Sequence, residues 1–157
     1  EVIIIVTSEK RIKIDKHIIK DFKKKNINLN LIYKKNFFPG AARNVGILKA
    51  KYDYLVFLDM NTLPYSKDWL KINFKYILKN KLKGVTGQTF YLASNKTEKI
   101  IRAATYGKAS LSTIPGSIFL KKSVFKVGFF DPITRAGEDT DWIKRLNSNF
   151  DQSFRSS

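Results

Sequence analysis

The chain of 157 residues contains no cysteine, so neither a disulfide framework nor thiolate chemistry is open to it. That usage fits a reducing compartment. Histidine occurs once, at His17 in a Lys-rich stretch, and reads as a surface residue. Long apolar runs are also missing: Val2–Val6 and Tyr54–Leu58 stop at five residues, far short of the roughly 20 that span a bilayer. No leader-peptide pattern opens the sequence. Acids are scarce, with 13 Asp and Glu against 30 Lys and Arg, which leaves a formal charge of +17.

What is present is enough for one packed domain. A hydrophobic fraction of 43% with 13% aromatics excludes disorder and supports a core. The charge points to a polyanion: nucleic acid, an anionic membrane or a phosphorylated substrate. Yet Lys outnumbers Arg 24 to 6, and the excess is spread as +8 in residues 1–50, +5 in 51–100 and +4 in 101–157. Nucleic-acid binders concentrate their cations on one element. Abundant Lys, Ile and Asn suit AT-rich coding with a generally basic surface. The aromatics follow core spacing and form no base-stacking platform, so no nucleic-acid partner is expected.

Hydrophobic periodicity predicts alternating strands and helices. Val2–Val6 is a β-branched run of the kind buried on both faces. Ile14, Ile18, Ile19 and Phe22 predict an amphipathic helix over about 12–25 with a Lys-rich outer face. Strands are expected at 27–33, 53–58, 84–92 and 114–120, and helices at 41–51, from an N-cap at Ser66 through Leu78, at 121–126 and at 139–146. The segment 95–106 reads as polar and mobile. This order defines an α/β sheet, largely parallel at its start. Ligands in such sheets sit beyond the carboxyl ends of strands, which selects Thr7-Ser8, Asn36–Arg43, Asp59–Asn61 and Thr113–Ser117.

Three segments carry chemistry. In Asn36–Gly46, Gly40 allows a tight turn, a new helix presents free N–H groups, and Arg43 offers a forked cation for phosphate or carboxylate; a structural ion pair for Arg43 is an equal alternative. In Tyr54–Asn61, a strand ends in Asp59 with a second oxygen donor at Asn61, a pair able to hold a divalent cation against a diphosphate. An Asx-turn leaving a strand accounts for the same residues. In Gly137–Trp142, Asp141 and Arg145 form an i,i+4 pair, which leaves Glu138-Asp139 beside a glycine hinge as a candidate general base. Asp131 caps or turns the chain. Asn95-Lys96-Thr97 fits a glycosylation sequon too short to carry meaning.

Taken together, Gly40-Ala-Ala-Arg43-Asn44-Val-Gly46, Phe57-Leu-Asp59-Met-Asn61 with Asp68-Trp69-Leu70, and Pro115-Gly116-Ser117 through Gly128-Phe-Phe-Asp131 to Gly137-Glu-Asp139-Thr-Asp141 resemble a family 2 glycosyltransferase of the GT-A fold. The resemblance covers most of residues 1–146. It implies a single GT-A-like (Rossmann-like) α/β domain with a largely parallel central sheet flanked by helices. Residues 1–83 would be its nucleotide-binding half and 84–157 its donor-sugar and acceptor half.

The implied activity is inverting transfer of a sugar from a nucleotide-diphospho-sugar, UDP- or similar, to an acceptor hydroxyl on a glycan or lipid-linked molecule. Asp59 and Asn61 occupy the Asp-x-Asp positions, where the donor and a divalent cation, Mg²⁺ or Mn²⁺, are held. Asp139 takes the place of the base. Thr7, Ser8, Arg43, Gly116, Ser117 and Glu138 fall where substrate is bound. A cytoplasmic location with peripheral association at the inner face of the membrane goes with such chemistry.

The family's second Asp is Asn61 here, and its acidic nucleoside contact falls at Val6–Ser8, where no carboxylate stands. The alignment sets residues 1–8 on the family's second strand. The expectation is a chain truncated at both ends, or a reduced variant with Glu1–Val6 in place of the opening strand. A non-catalytic nucleotide-binding remnant and a basic nucleic-acid or anionic-membrane binder are the alternative functions. Residues 53–68 and 131–141 nevertheless hold seven of the thirteen carboxylates and only two cations, Lys67 and Arg135. Acidity is kept where a metal site and a base would lie.

Overall fold

A computed structural model describes residues 1–9, 12–88, 95–106, 112–149 and 154–156, with backbone only at 102–106, 112 and 154–156. The elements run β1 (Val2–Val6), α1 (Lys16–Lys24), β2 (Leu29–Tyr33), α2 (Pro39–Lys49), β3 (Tyr54–Val56), α3 (Trp69–Lys79), β4 (Gly84–Gln88), α4 (Lys96–Tyr106), β5 (Ser112–Leu120), α5 (Lys121–Val127), α6 (Glu138–Asn149) and β6 (Phe154–Ser156). This is the α/β alternation that the periodicity predicts. The chain forms two compact units, Glu1–Leu55 with Lys121–Arg145, and Val56–Leu120 with Leu146–Ser157.

In the first unit β1 pairs with β2 in parallel, from Val2 opposite Leu29 to Val6 opposite Tyr33. α2 packs on β1. Val6, Ile47, Leu55, Val124, Val127, Phe130 and Trp142 are buried. β1 is not buried on both faces as its composition suggests: Val2 and Ile4 are exposed, Ile3 and Ile5 half-buried. α2 covers β1 from one side, so the period-2 alternation of a one-sided sheet emerges instead. α1 starts later than expected because the Asp15 carboxylate accepts from the His17 N–H at 2.8 Å and fixes the first turn. Pro39 opens α2 at its first position, where a missing N–H costs nothing.

The second unit is built on a four-stranded sheet ordered β3-β5-β4-β6, and of β3 it includes Val56. β4 runs antiparallel to β5 and parallel to β6. Trp69, Ile77, Val85, Ile114, Ile118, Phe119 and Leu146 form its apolar interior. The β4–β5 register shifts between Val85 and Gly87. Ser117 Oγ repairs that break, accepting from the Gly87 N–H at 2.8 Å and donating to the Thr113 carbonyl at 2.6 Å. Regular strand β3 ends at Val56 rather than Leu58. Beyond it the chain keeps one pair of bonds, Phe57 N–H to Ser117 O at 3.0 Å and Gly116 N–H to Phe57 O at 2.7 Å. Gly116 there adopts φ +84°, a conformation that favours glycine.

Two other expectations need correction, the cap of α3 and the segment 95–106. Ser66 does not cap α3; Asp68 holds the N-cap position without a side-chain bond, and the Ser66 carbonyl accepts from Trp69 N–H. Asn73, which interrupts the apolar face of α3, is buried and donates back to the Trp69 carbonyl at 3.0 Å. The segment 95–106 is helical from Lys96. Asn95 Oδ1 accepts from the Glu98 N–H at 2.8 Å, an N-cap three residues ahead of an acid, and this stabilises a helix that hydrophobic periodicity does not announce. The strand expected to reach residue 92 is described only to Gln88; 89–92 lie outside the described residues.

A methyl group added at Gly87 would collide with the Pro115 carbonyl oxygen and lie 2.8 Å from the Gly116 carbonyl carbon. Both are backbone atoms, so no rotamer change relieves the clash. Gly87→Ala is expected to cost about 3 kcal/mol or more and to lower the thermal midpoint by roughly 6–12 °C. Gly46→Ala is the control. That site is open, inside α2, and should gain up to about 1 kcal/mol. Thermal melts followed by circular dichroism decide between these signs.

Candidate active site

In the first unit, the start of α2 is locked to the segment that enters α6. Asn44 Nδ2 donates to the Phe130 carbonyl at 2.8 Å, and its Oδ1 accepts from the Phe130 N–H at 2.9 Å. Arg43 Nη1 meets Glu138 Oε1 at 2.5 Å, with side chains only 11% and 5% exposed. The guanidinium also lies 5.5 Å from the Phe130 ring centroid, and Phe130 stacks on Trp142 at 5.0 Å and 20°. Gly40 sits so close to the Asp131 carbonyl that no Cβ fits, which explains a glycine inside a helical turn. Of the expected substrate contacts, then, Arg43 and Glu138 are brought together and satisfy each other.

Asp139 follows Gly137, whose φ of +93° turns the chain into α6. Its Oδ1 accepts from the Thr140 N–H at 2.8 Å, and the residue is half-buried in the first helical turn, where a negative charge is favoured by the helix dipole. Asp141 and Arg145 form the expected pair at 2.9 Å. Arg145 extends it by donating to the Val127 and Phe129 carbonyls at 3.0 and 2.9 Å, so it also fixes the α5–α6 connection.

Asp131 turns the chain as anticipated, accepting from Thr134 Oγ1 at 2.5 Å and from the Ile133 N–H at 2.9 Å. The Thr134 hydroxyl first, then the Ile133 amide, holds its carboxyl below the ordinary aspartate value. A depressed carboxylate contributes stability that is full above its unfolded pKa and lost as pH falls through the folded one. Thr134→Val is therefore expected to flatten the acid limb of a melting-temperature-against-pH profile. An unchanged limb would rule out this contribution.

At the ends of β1 and β2 an open cleft of about 490 Å³ is lined by Ser8, Glu9, Tyr33 and Lys35. Of the expected strand-end pair, Ser8 lines the cleft, while Thr7 is exposed beside it. Val6–Ser8 holds no carboxylate, and Glu9, the next residue in the chain, lines this cleft. Tyr33 Oη donates to the Ile12 carbonyl at 3.2 Å, which steadies the ring.

In the second unit Asp59 and Asn61 are exposed on a turn closed by Thr62 N–H to the Asp59 carbonyl at 3.0 Å. Gly116 and Ser117 are bonded to Phe57, two residues upstream, so the structure sets these four expected residues on adjoining backbone. The Ser117 hydroxyl is committed to the β4–β5 break and is fully buried. Among the described residues no group of three or more His, Cys, Asp or Glu is arranged to hold a metal ion. One carboxylate and one amide oxygen still suit a hard cation such as Mg²⁺, which takes one or two protein oxygens and completes its shell with phosphate and water. Met60, Leu63 and Tyr65 on the same loop are 92%, 87% and 77% exposed.

The fold is of the GT-A-like α/β class. It superposes on Staphylococcus aureus TarS residues 1–349 with a TM-score of 0.67 at 16% identity, over 95% of this chain and 46% of that one. A second TarS structure gives 0.65 at 14% identity, over 100% and 31%. The family profile described as Glycosyl transferase family 2 matches residues 2–136, and the chain belongs to that family. An uncharacterized glycosyltransferase of Rickettsia felis is 30% identical over 137 residues, 80% of this chain and 22% of that protein. One of Rickettsia bellii is 26% identical over 139 residues, 82% and 20%. The chain thus spans about a fifth of the length of these curated relatives. Among the described residues no helix is long and apolar enough to cross a membrane.

Proposed function

We propose that the chain is a glycosyltransferase domain that moves a sugar, with inversion, from a nucleotide-diphospho-sugar to the hydroxyl of a glycan or lipid-linked acceptor. The observation that carries this reading is the exposed Asp59-x-Asn61 turn, anchored through Phe57 to Gly116 and Ser117. In this reading residues 1–83 serve the nucleotide and 84–157 the donor sugar and acceptor. Glu9 receives ribose hydroxyls, Tyr33 offers a ring face to the base, and Lys35 attracts phosphate. Thr7 and Ser8 border the same ligand. Asp59 and Asn61 would hold Mg²⁺ or Mn²⁺, whose charge would stabilise the departing diphosphate.

Asp139 accepts the proton of the acceptor hydroxyl. That oxygen bonds to the anomeric carbon as the carbon–oxygen bond to the diphosphate breaks, and the nucleoside diphosphate leaves with the electron pair. The buried Arg43–Glu138 pair positions the first turn of α6, on which Asp139 sits. Nucleoside diphosphates titrated calorimetrically with Mn²⁺ are expected to bind, and Asp59→Ala to weaken binding at least about tenfold in the presence of metal. Glu9→Gln should weaken it less, and without regard to metal. Absence of binding by every nucleoside diphosphate with either cation would overturn the proposal. Asn61 favours a second reading, nucleotide binding without turnover, which detectable transfer by the unaltered chain excludes.

A further inference from the structure

We infer that α1 is a docking element for an anionic lipid surface, an assignment that goes beyond sugar transfer and does not depend on it. The helix Lys16–Lys24 buries none of its residues. Ile18 and Ile19 remain 48% and 38% exposed, and Phe22 is half-buried. At 100° per residue these three form one stripe about 100° wide, and Lys16, Lys20, Lys23 and Lys24 fill the opposite side. Lys13 and Lys25 flank them, so residues 13–25 carry six Lys against two Asp, a net charge of +4.

The occupant is chosen by chemistry. Nucleic acid would satisfy the lysines but offers no hydrocarbon to Ile18 and Ile19. An apolar protein groove would take the isoleucines but offers no charge complementary to the lysines. A bilayer with anionic headgroups meets both, since a helix lying in the interface sinks its apolar stripe while its cations stay among the phosphates. Every cation here is Lys, whose compact ammonium answers the diffuse field of such a surface rather than one bidentate phosphate. A helix of nine residues is too short to anchor alone, so binding should need both signals and be reversible.

Sedimentation of the whole chain with phosphatidylcholine vesicles, with and without phosphatidylglycerol, tests this. Binding is expected only to the anionic vesicles and should weaken as salt rises. Each Lys near the surface contributes roughly fivefold, so replacing Lys16, Lys20, Lys23 and Lys24 by Gln should reduce partitioning by two to three orders of magnitude. Ile18→Ser with Ile19→Ser should reduce it roughly tenfold and leave the salt dependence intact. Ile18→Trp supplies a readout that tolerates loss of the other variants: its emission should shift to the blue on anionic vesicles, against a background of two native Trp that are already buried. The inference is overturned by equal binding to neutral vesicles, by no binding, by an unshifted Ile18→Trp spectrum, or by Ile variants that alter only self-association in light scattering.

Discussion

Arg43→Ala should lower the unfolding free energy by about 3–5 kcal/mol, because it strands the Glu138 carboxylate in a site only 5% exposed. Against a typical domain stability of about 5–15 kcal/mol, that is enough to unfold a marginal chain. The size of the effect comes from the charge left behind rather than from the attraction lost. Replacing both partners together, as Arg43→Met with Glu138→Leu, should therefore recover most of the loss. Urea titrations of the two single variants and the double variant form the required cycle. A single-variant loss under about 1 kcal/mol would mean that water reaches the pair and that it is an ordinary surface bridge.

The second large effect is chemical. Asp139→Asn keeps the side chain's shape and its ability to accept from the Thr140 amide, but it cannot take up a proton at neutral pH. Transfer is expected to fall about 10²–10⁴-fold, with nucleotide affinity and thermal midpoint unchanged. Asp141→Asn is the contrast. Asp141 is 56% exposed and paired with Arg145, so its loss should cost at most about 0.5 kcal/mol and leave turnover near normal. If Asp139→Asn turns over like the unaltered chain, another group must accept the proton.

Much of this architecture is legible in the sequence, because it rests on local pattern. Ile14, Ile18, Ile19 and Phe22 announce α1, the Asp141–Arg145 spacing announces its pair, and Asp131 announces its turn. What escapes is non-local or backbone-borne. Nothing local tells Arg43 that its partner lies 95 residues away, so pairing and ligand binding are equal readings until the chain is folded. Ser117 looks like a strand-end ligand, yet its hydroxyl answers a register break that only strand pairing creates. α4 is hidden because its start is set by a side-chain cap at Asn95 and not by apolar spacing. The exposure of Val2 and Ile4 depends on which element packs on each face of β1, which composition does not encode.

Asn44 reaches the α5–α6 connection through the main chain of residue 130, not through its ring. Such a clasp is indifferent to side-chain identity. The path of the connection and the packing of the buried Phe130 ring are consequently held by different atoms. Phe130→Tyr keeps the clasp but buries a hydroxyl between the Arg43 guanidinium and Trp142, so it perturbs packing and leaves the course of the loop alone. Asn44→Leu does the reverse, preserving every ring and releasing the loop. Trajectory and packing thus have separate controls in this unit.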